Sequence, residues 1–121
     1  MNIVTKLLTY QNQVKILHWQ TTSYSEHKSL GDLYSSLSDQ IDEFIEVFMG
    51  KNGRIVAQTN FNLTLQNYSA LAPMDLMNQM IAYLSNELPT MLDSGRDTDL
   101  LNLRDEILAS VNKTKYLLTL K

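Results

Sequence analysis

Apolar side chains recur along this chain at alternating steps of three and four, the period of a helix with one buried face. Ile3, Leu7, Tyr10, Val14, Leu17 and Thr21 keep that step and predict a first helix over residues 2–22. Leu30, Tyr34, Leu37, Ile41, Phe44 and Phe48 repeat it and predict a second over 25–49, stopped by Gly50 with Gly53 prolonging the break. Pro73 suits a first helical turn, where its missing N–H costs nothing, and Asp75 suits the positive end of the helix dipole. Met77, Met80, Ile81, Leu84, Leu88 and Met91 then form a third stripe, kinked late by Pro89, which removes one backbone donor. Ser94-Gly95 ends that helix and Asp97 or Thr98 caps the next. Leu100, Leu103, Ile107, Val111 and Leu118 complete a fourth.

An Asn-rich connection lies between Lys51 and Ala72, with a short helix predicted around Thr64-Leu65, Tyr68 and Leu71. A plain up-and-down bundle would use a much shorter loop, so this one is expected to cross the length of the bundle. The predicted fold is therefore all-α: a ferritin-like four-helix bundle with a long crossover between helices two and three.

Composition narrows the function more than the fold. At 121 residues the chain is one domain, and 44% hydrophobic residues with two prolines and four glycines favour helices over a turn-rich β design. The formal charge of −3, with Lys and Arg scattered, offers no phosphate-binding surface. Without cysteine there is no disulfide, thiolate nucleophile or iron–sulfur ligation. With no leader and no long apolar run, the expected location is the cytoplasm, the host's if a virus encodes the chain. The six methionines read as core filler rather than copper or haem ligands, because most fall on stripe positions.

The candidate chemistry rests on two histidines and an acidic helix. His18 and His27 are the only histidines, and Asp42 and Glu46 stand four apart, so on a helix they share a face. Two imidazoles and two carboxylates are a workable ligand set for Fe or Zn. Advancing about 100° per residue places His27 roughly 60°, Asp42 roughly 120° and Glu46 roughly 160° from the centre of the second helix's core stripe. The carboxylates thus point away from the chain's own core, and no Glu-x-x-His pair of a bundle-centred di-iron site occurs anywhere. The same off-core face carries Gly31, Ser35, Ser38 and Ile45, and its small residues let another helix approach. The first helix has a matching second face in Val4, Leu8, His18 and Trp19. Two such faces point to a homo-oligomer whose ligands meet between subunits. The competing reading is a plain solvated helix face, with the histidines as structural hydrogen-bonding residues and Trp19 in packing.

The runs Leu17-His18-Trp19, Glu26-His27-Lys28-Ser29-Leu30-Gly31-Asp32-Leu33-Tyr34 and Ile41-Asp42-Glu43-Phe44-Ile45-Glu46 resemble the mini-ferritins of the Dps family. The closing Asp97-Thr98-Asp99-Leu100-Leu101 through Tyr116-Leu117-Leu118 is similar to their last helix, so the resemblance spans nearly the whole chain. Small ferritin-like proteins of phages and other viruses look more similar still. The resemblance implies a ferroxidase that oxidises Fe(II) between subunits and stores or detoxifies iron, with Zn or Mn as substitute metals. His18 and His27 would come from one subunit, Asp42 and Glu46 from its two-fold mate, and these four would be both the catalytic and the metal-binding residues. It also implies a homo-oligomer built from two-fold dimers, a dodecameric shell being the family's closed form. Three departures matter: the histidines are nine apart, a loop three residues shorter than is usual in the family; the family's aspartate one turn after the second histidine falls on Gly31; and its Lys-rich DNA-binding tail is missing, so no nucleic acid is expected as a partner. The alternative is a non-enzymatic helical assembly or interaction protein, such as a viral accessory protein, that kept the fold without turnover.

Overall fold

The computed structural model describes residues 2–120, so Met1 and its assignment to the core lie outside the described residues. Among those residues the structure is all-helical, with four helices and no strand: α1 (Asn2–Gln20), α2 (Tyr24–Asn52), α3 (Pro73–Ala82) and α4 (Thr98–Leu117). α3 runs on into a π-helical turn (Tyr83–Glu87) and a 3-10 turn (Leu88–Met91). α1 packs on α2, α2 on α4, α4 on α3 and α3 on α1, which closes a ring of four around one core. Leu7, Val14 and Leu17 meet Leu30, Leu37, Ile41 and Phe44 there, with Leu76, Met77, Met80, Leu84 and Leu88 from the α3 arm and Leu100, Ile107 and Val111 from α4. These are the stripes that the three-four spacing predicts. Met77 and Met80 are core filler as expected, whereas Met91 is exposed.

Three local expectations need correction. Gly50 does not stop α2; it stays helical, and the stop falls at Gly53, whose φ of +86° and ψ of 174° end the helix while its N–H bonds to Met49 O. Only glycine adopts that backbone region without strain, so Gly53 is the effective breaker and Gly50 a tolerated interior residue. Asp97 sits at the N-cap of α4 but does not cap it. Its carboxylate accepts from Asp93 N–H and pairs with Lys51 at 3.6 Å, tying the end of α2 to the start of α4. Finally, the connection 53–72 contains no helix; a turn at Tyr68–Ala70 is its only regular feature among the described residues. Polar side chains of α1 hold it instead. Buried Gln13 grips Gln66 twice, Nε2 to O at 2.8 Å and Oε1 from N at 2.7 Å, and Gln20 holds Asn67 and Tyr68 N–H. A helix there would have used those backbone groups itself.

The third arm ends as Pro89 dictates. Its lost donor and its clash with the preceding turn loosen the ladder into a π turn and then a 3-10 turn, and the helix closes at Met91 rather than at Ser94-Gly95.

Candidate functional site

The α1–α2 corner is built by short-range polar chemistry. Ser23 caps α2 by accepting Glu26 N–H at 3.3 Å. Glu26, at the position from which a capping-box carboxylate reaches back, accepts from Thr21 Oγ1 and Tyr68 OH instead. That bond is also the main reason the Tyr68 phenol is pushed up from its ordinary value. One carboxylate thus locks the end of α1, the start of α2 and the turn before α3. The Ser23-x-x-Glu26 spacing was the signal for it, and the pattern-based boundary at residue 25 missed it.

Within this corner the two histidines clasp each other. His18 Nδ1 bonds to His27 O at 2.7 Å, and His27 Nδ1 bonds to His18 O at 2.9 Å. A carbonyl oxygen only accepts, so each Nδ1 carries the proton it donates, and each Nε2 is left as the ring nitrogen that a metal ion could take. The rings stack with centroids 3.9 Å apart and planes 16° apart. His18 is half-buried and His27 is exposed. Tethering one ring nitrogen to a carbonyl is how proteins orient a ligating histidine.

Gly31 is part of this arrangement in a way its sequence position concealed. A Cβ built there would lie 2.8 Å from His18 Cε1 and 3.1 Å from His18 Nδ1. The His18 ring occupies the space over the glycine, which therefore serves the imidazole first.

Asp42 and Glu46 lie elsewhere on the same helix. Both are exposed, and neither makes a hydrogen bond or ion pair with another described residue. At 1.5 Å per residue they stand roughly 22 and 28 Å along α2 from His27. Accordingly, among the described residues no three His, Cys, Asp or Glu side chains group closely enough to hold a metal ion. One chain brings the histidines together and keeps the carboxylates apart from them. Trp19, expected in packing, is 64% exposed, with the Lys15 ammonium 5.3 Å over its ring. It is no part of this chain's core.

Residues 18–118, a span that begins on His18 and takes in all four candidate residues, match the description "Family of unknown function (DUF5856)". The chain belongs to this family. It is also similar to the uncharacterized 14.6 kDa protein of the mobD–ri intergenic region of Enterobacteria phage T4, at 25% identity over 115 residues, covering 95% of this chain and 84% of that one. No solved structure matches the chain. Among the described residues no helix is long and apolar enough to cross a membrane.

Proposed function

We propose that this family member is a Dps-like, ferritin-fold protein that takes up Fe(II) at sites shared between two copies, oxidises it and retains the ferric product. The observation that carries the reading is the histidine clasp, with both Nδ1 protons tied down and both Nε2 atoms left for a metal ion. Because a ligating lone pair lies in its ring plane, two rings stacked 3.9 Å apart do not share one ion without opening. Each Nε2 offers a separate position, which suits a two-ion site.

The missing carboxylates come from a two-fold partner in this reading. The core stripe of α2 is Leu30, Leu33, Leu37, Ile41 and Phe44. One residue further round runs a second stripe of Gly31, Ser35, Ser38 and Asp42, small or polar and not fully buried within the chain, ending at Ile45, which packs partly on the core. If two copies of α2 pair antiparallel about the point between Ser36 and Leu37, Ser35 meets Ser38 of the second copy. In the same register Gly31, under the His18 ring, meets its Asp42, and His27 meets its Glu46. Each histidine then gains one carboxylate, and the small residues at the centre permit close helix approach. Within the proposed ferritin-like topology, segment 53–72 is the crossover, with bonds climbing α1 from Gln13 to Gln20 before α3 begins.

Bound Fe(II) is substrate here: each ion gives one electron to dioxygen or peroxide, and the carboxylates hold the more highly charged product. The departure at Gly31 is met by the ring lying over it, so His18 takes the space a third carboxylate would need. Anaerobic Fe(II) titration followed by air should give ferric absorbance in the parent and not in His27→Ala or Glu46→Ala. Mixing those two variants, with subunit exchange shown separately, should restore part of it. Parent-like iron chemistry in both single variants would leave the clasp a structural lock of the α1–α2 corner. The non-enzymatic assembly reading would then stand.

A further inference from the structure

The C-terminal end of α2 carries a dipeptide with chemistry of its own. Of the ten asparagines only Asn52 precedes a glycine. Both residues are exposed, and nothing lies within 4 Å of a Cβ built on Gly53. A side chain after an asparagine crowds the backbone nitrogen that would attack its amide, and here there is none. The other nine asparagines are followed by Ile, Gln, Phe, Leu, Tyr, Glu or Lys.

We infer that Asn52 is a self-modification site, converted to aspartate or isoaspartate through a succinimide formed with Gly53, and that the last turn of α2 gates the reaction. Gly53 N bonds to Asn52 Cγ as the Cγ–Nδ2 bond breaks, and the Gly53 amide proton leaves with that amino group as ammonia. Water, the one co-reactant, then opens the ring. Cleavage at Cγ gives aspartate, and cleavage at the backbone carbonyl gives isoaspartate.

Two hydrogen bonds hold the reacting groups off this path. Gly53 N–H donates to Met49 O at 2.7 Å, and Asn52 Nδ2 donates to Phe48 O at 3.0 Å. Both must open before the nitrogen can turn onto Cγ, so the rate follows the population of the opened turn. Lys51 sets that population. Its ammonium bonds to Arg96 O at 2.8 Å and to Asp99 at 3.0 Å, pinning the end of α2 to the start of α4.

The product keeps the turn open. An ionised carboxylate has no proton to offer Phe48 O, and negative charge is disfavoured at a helix C-terminus. Isoaspartate also adds a methylene to the main chain, which moves the Gly53 N–H off Met49 O. The change runs one way and falls where the 53–72 connection leaves α2, so it acts as a clock that slackens this connection. It uses neither the histidine clasp nor the acidic face of α2, so it stands whether or not the chain binds iron.

The reaction is followed in the full chain at mildly alkaline pH, by peptide mapping with mass spectrometry and chromatographic separation of isoaspartate. In urea Asn52 should react faster than any other asparagine. Folding should slow it about tenfold, an opening free energy of about 1.4 kcal/mol, with product still accumulating in the folded parent. Lys51→Ala should raise the folded rate about threefold or more, leave the urea rate unchanged, and speed hydrogen exchange of the Gly53 amide by the same factor. In Asn52→Asp that amide should exchange faster than in the parent. No product at Asn52 in the folded parent, equal folded and urea rates, a folded rate that Lys51→Ala leaves unchanged, or parent-like exchange in Asn52→Asp would each overturn the gated clock.

Discussion

Replacing the two α2 glycines by alanine separates what the His18 ring does from what helix propensity does. Gly50 is exposed, helical and has nothing within 4 Å of a built Cβ. Gly50→Ala should therefore stabilise by the ordinary helix-interior gain of about 0.5–1 kcal/mol. Gly31→Ala gains a similar amount from propensity, but its Cβ meets His18 Cε1 at 2.8 Å. Carbon atoms rest at about 3.5 Å or more, so the ring must retreat by more than half an ångström. That stretches its 2.7 Å bond to His27 O and opens the stack. One hydrogen bond is worth about 0.5–1.5 kcal/mol and an aromatic pair about as much again. The two variants should thus differ by about 1–3 kcal/mol, several degrees in Tm for a domain of this size. Thermal melts at one fixed protein concentration measure the gap, since self-association makes Tm concentration-dependent. In a His18→Ala background the penalty should vanish and Gly31→Ala should stabilise like Gly50→Ala. Equal stabilisation by both substitutions in the parent would refute the placement of the ring, and with it the geometry on which the iron reading rests.

Gly53→Ala should do the opposite of Gly50→Ala and cost about 1–3 kcal/mol in urea unfolding, because φ of +86° with ψ of 174° strains any residue with a Cβ. Gln13→Ala removes both bonds to Gln66 and leaves its N–H and C=O unpaired, so amide hydrogen exchange at Gln66 should accelerate while the helices stay protected. The Asp93 carboxyl is held below its ordinary 3.8 by Arg96 and Gly95 N–H, and that of Asp99 mainly by its bond from Lys51. Groups whose pKa is lower folded than unfolded bind fewer protons in the native state. They contribute stability that is present above about pH 4 and lost as pH falls through the lowered values. Melting temperature followed from pH 6 to 3 should therefore fall less steeply in Asp93→Asn than in the parent.

Much of the fold was legible because helix periodicity is a local property. Leu30, Leu37, Ile41 and Phe44 lie on one face of α2 whatever surrounds them, and all four are buried. Pro73 opens α3 and Thr98 opens α4 for equally local reasons. Gly50 and Gly53 show where that logic thins. Both are glycine near a helix end, and only the path of the following chain decides which takes the positive φ. The segment after Gly53 went further astray: its short-range pattern allowed a helix, but Gln13, more than fifty residues away, competes for its backbone.

The site divides along the same line. From the residues alone came the two imidazoles, the i,i+4 pair of Asp42 and Glu46, and the fact that this pair faces away from the chain's own core, since all of that follows from residue type and helical angle. The sequence also marked Gly31 as a departure, but as a missing ligand. Only the tertiary fold could reveal that the His18 ring lies over that glycine, that each histidine spends its Nδ1 on the other's carbonyl, and that the carboxylates stay roughly four to five helical turns from the clasp. The reason is physical: periodicity sets the direction of a side chain on its own helix, whereas the atoms that side chain meets depend on where a second helix is packed.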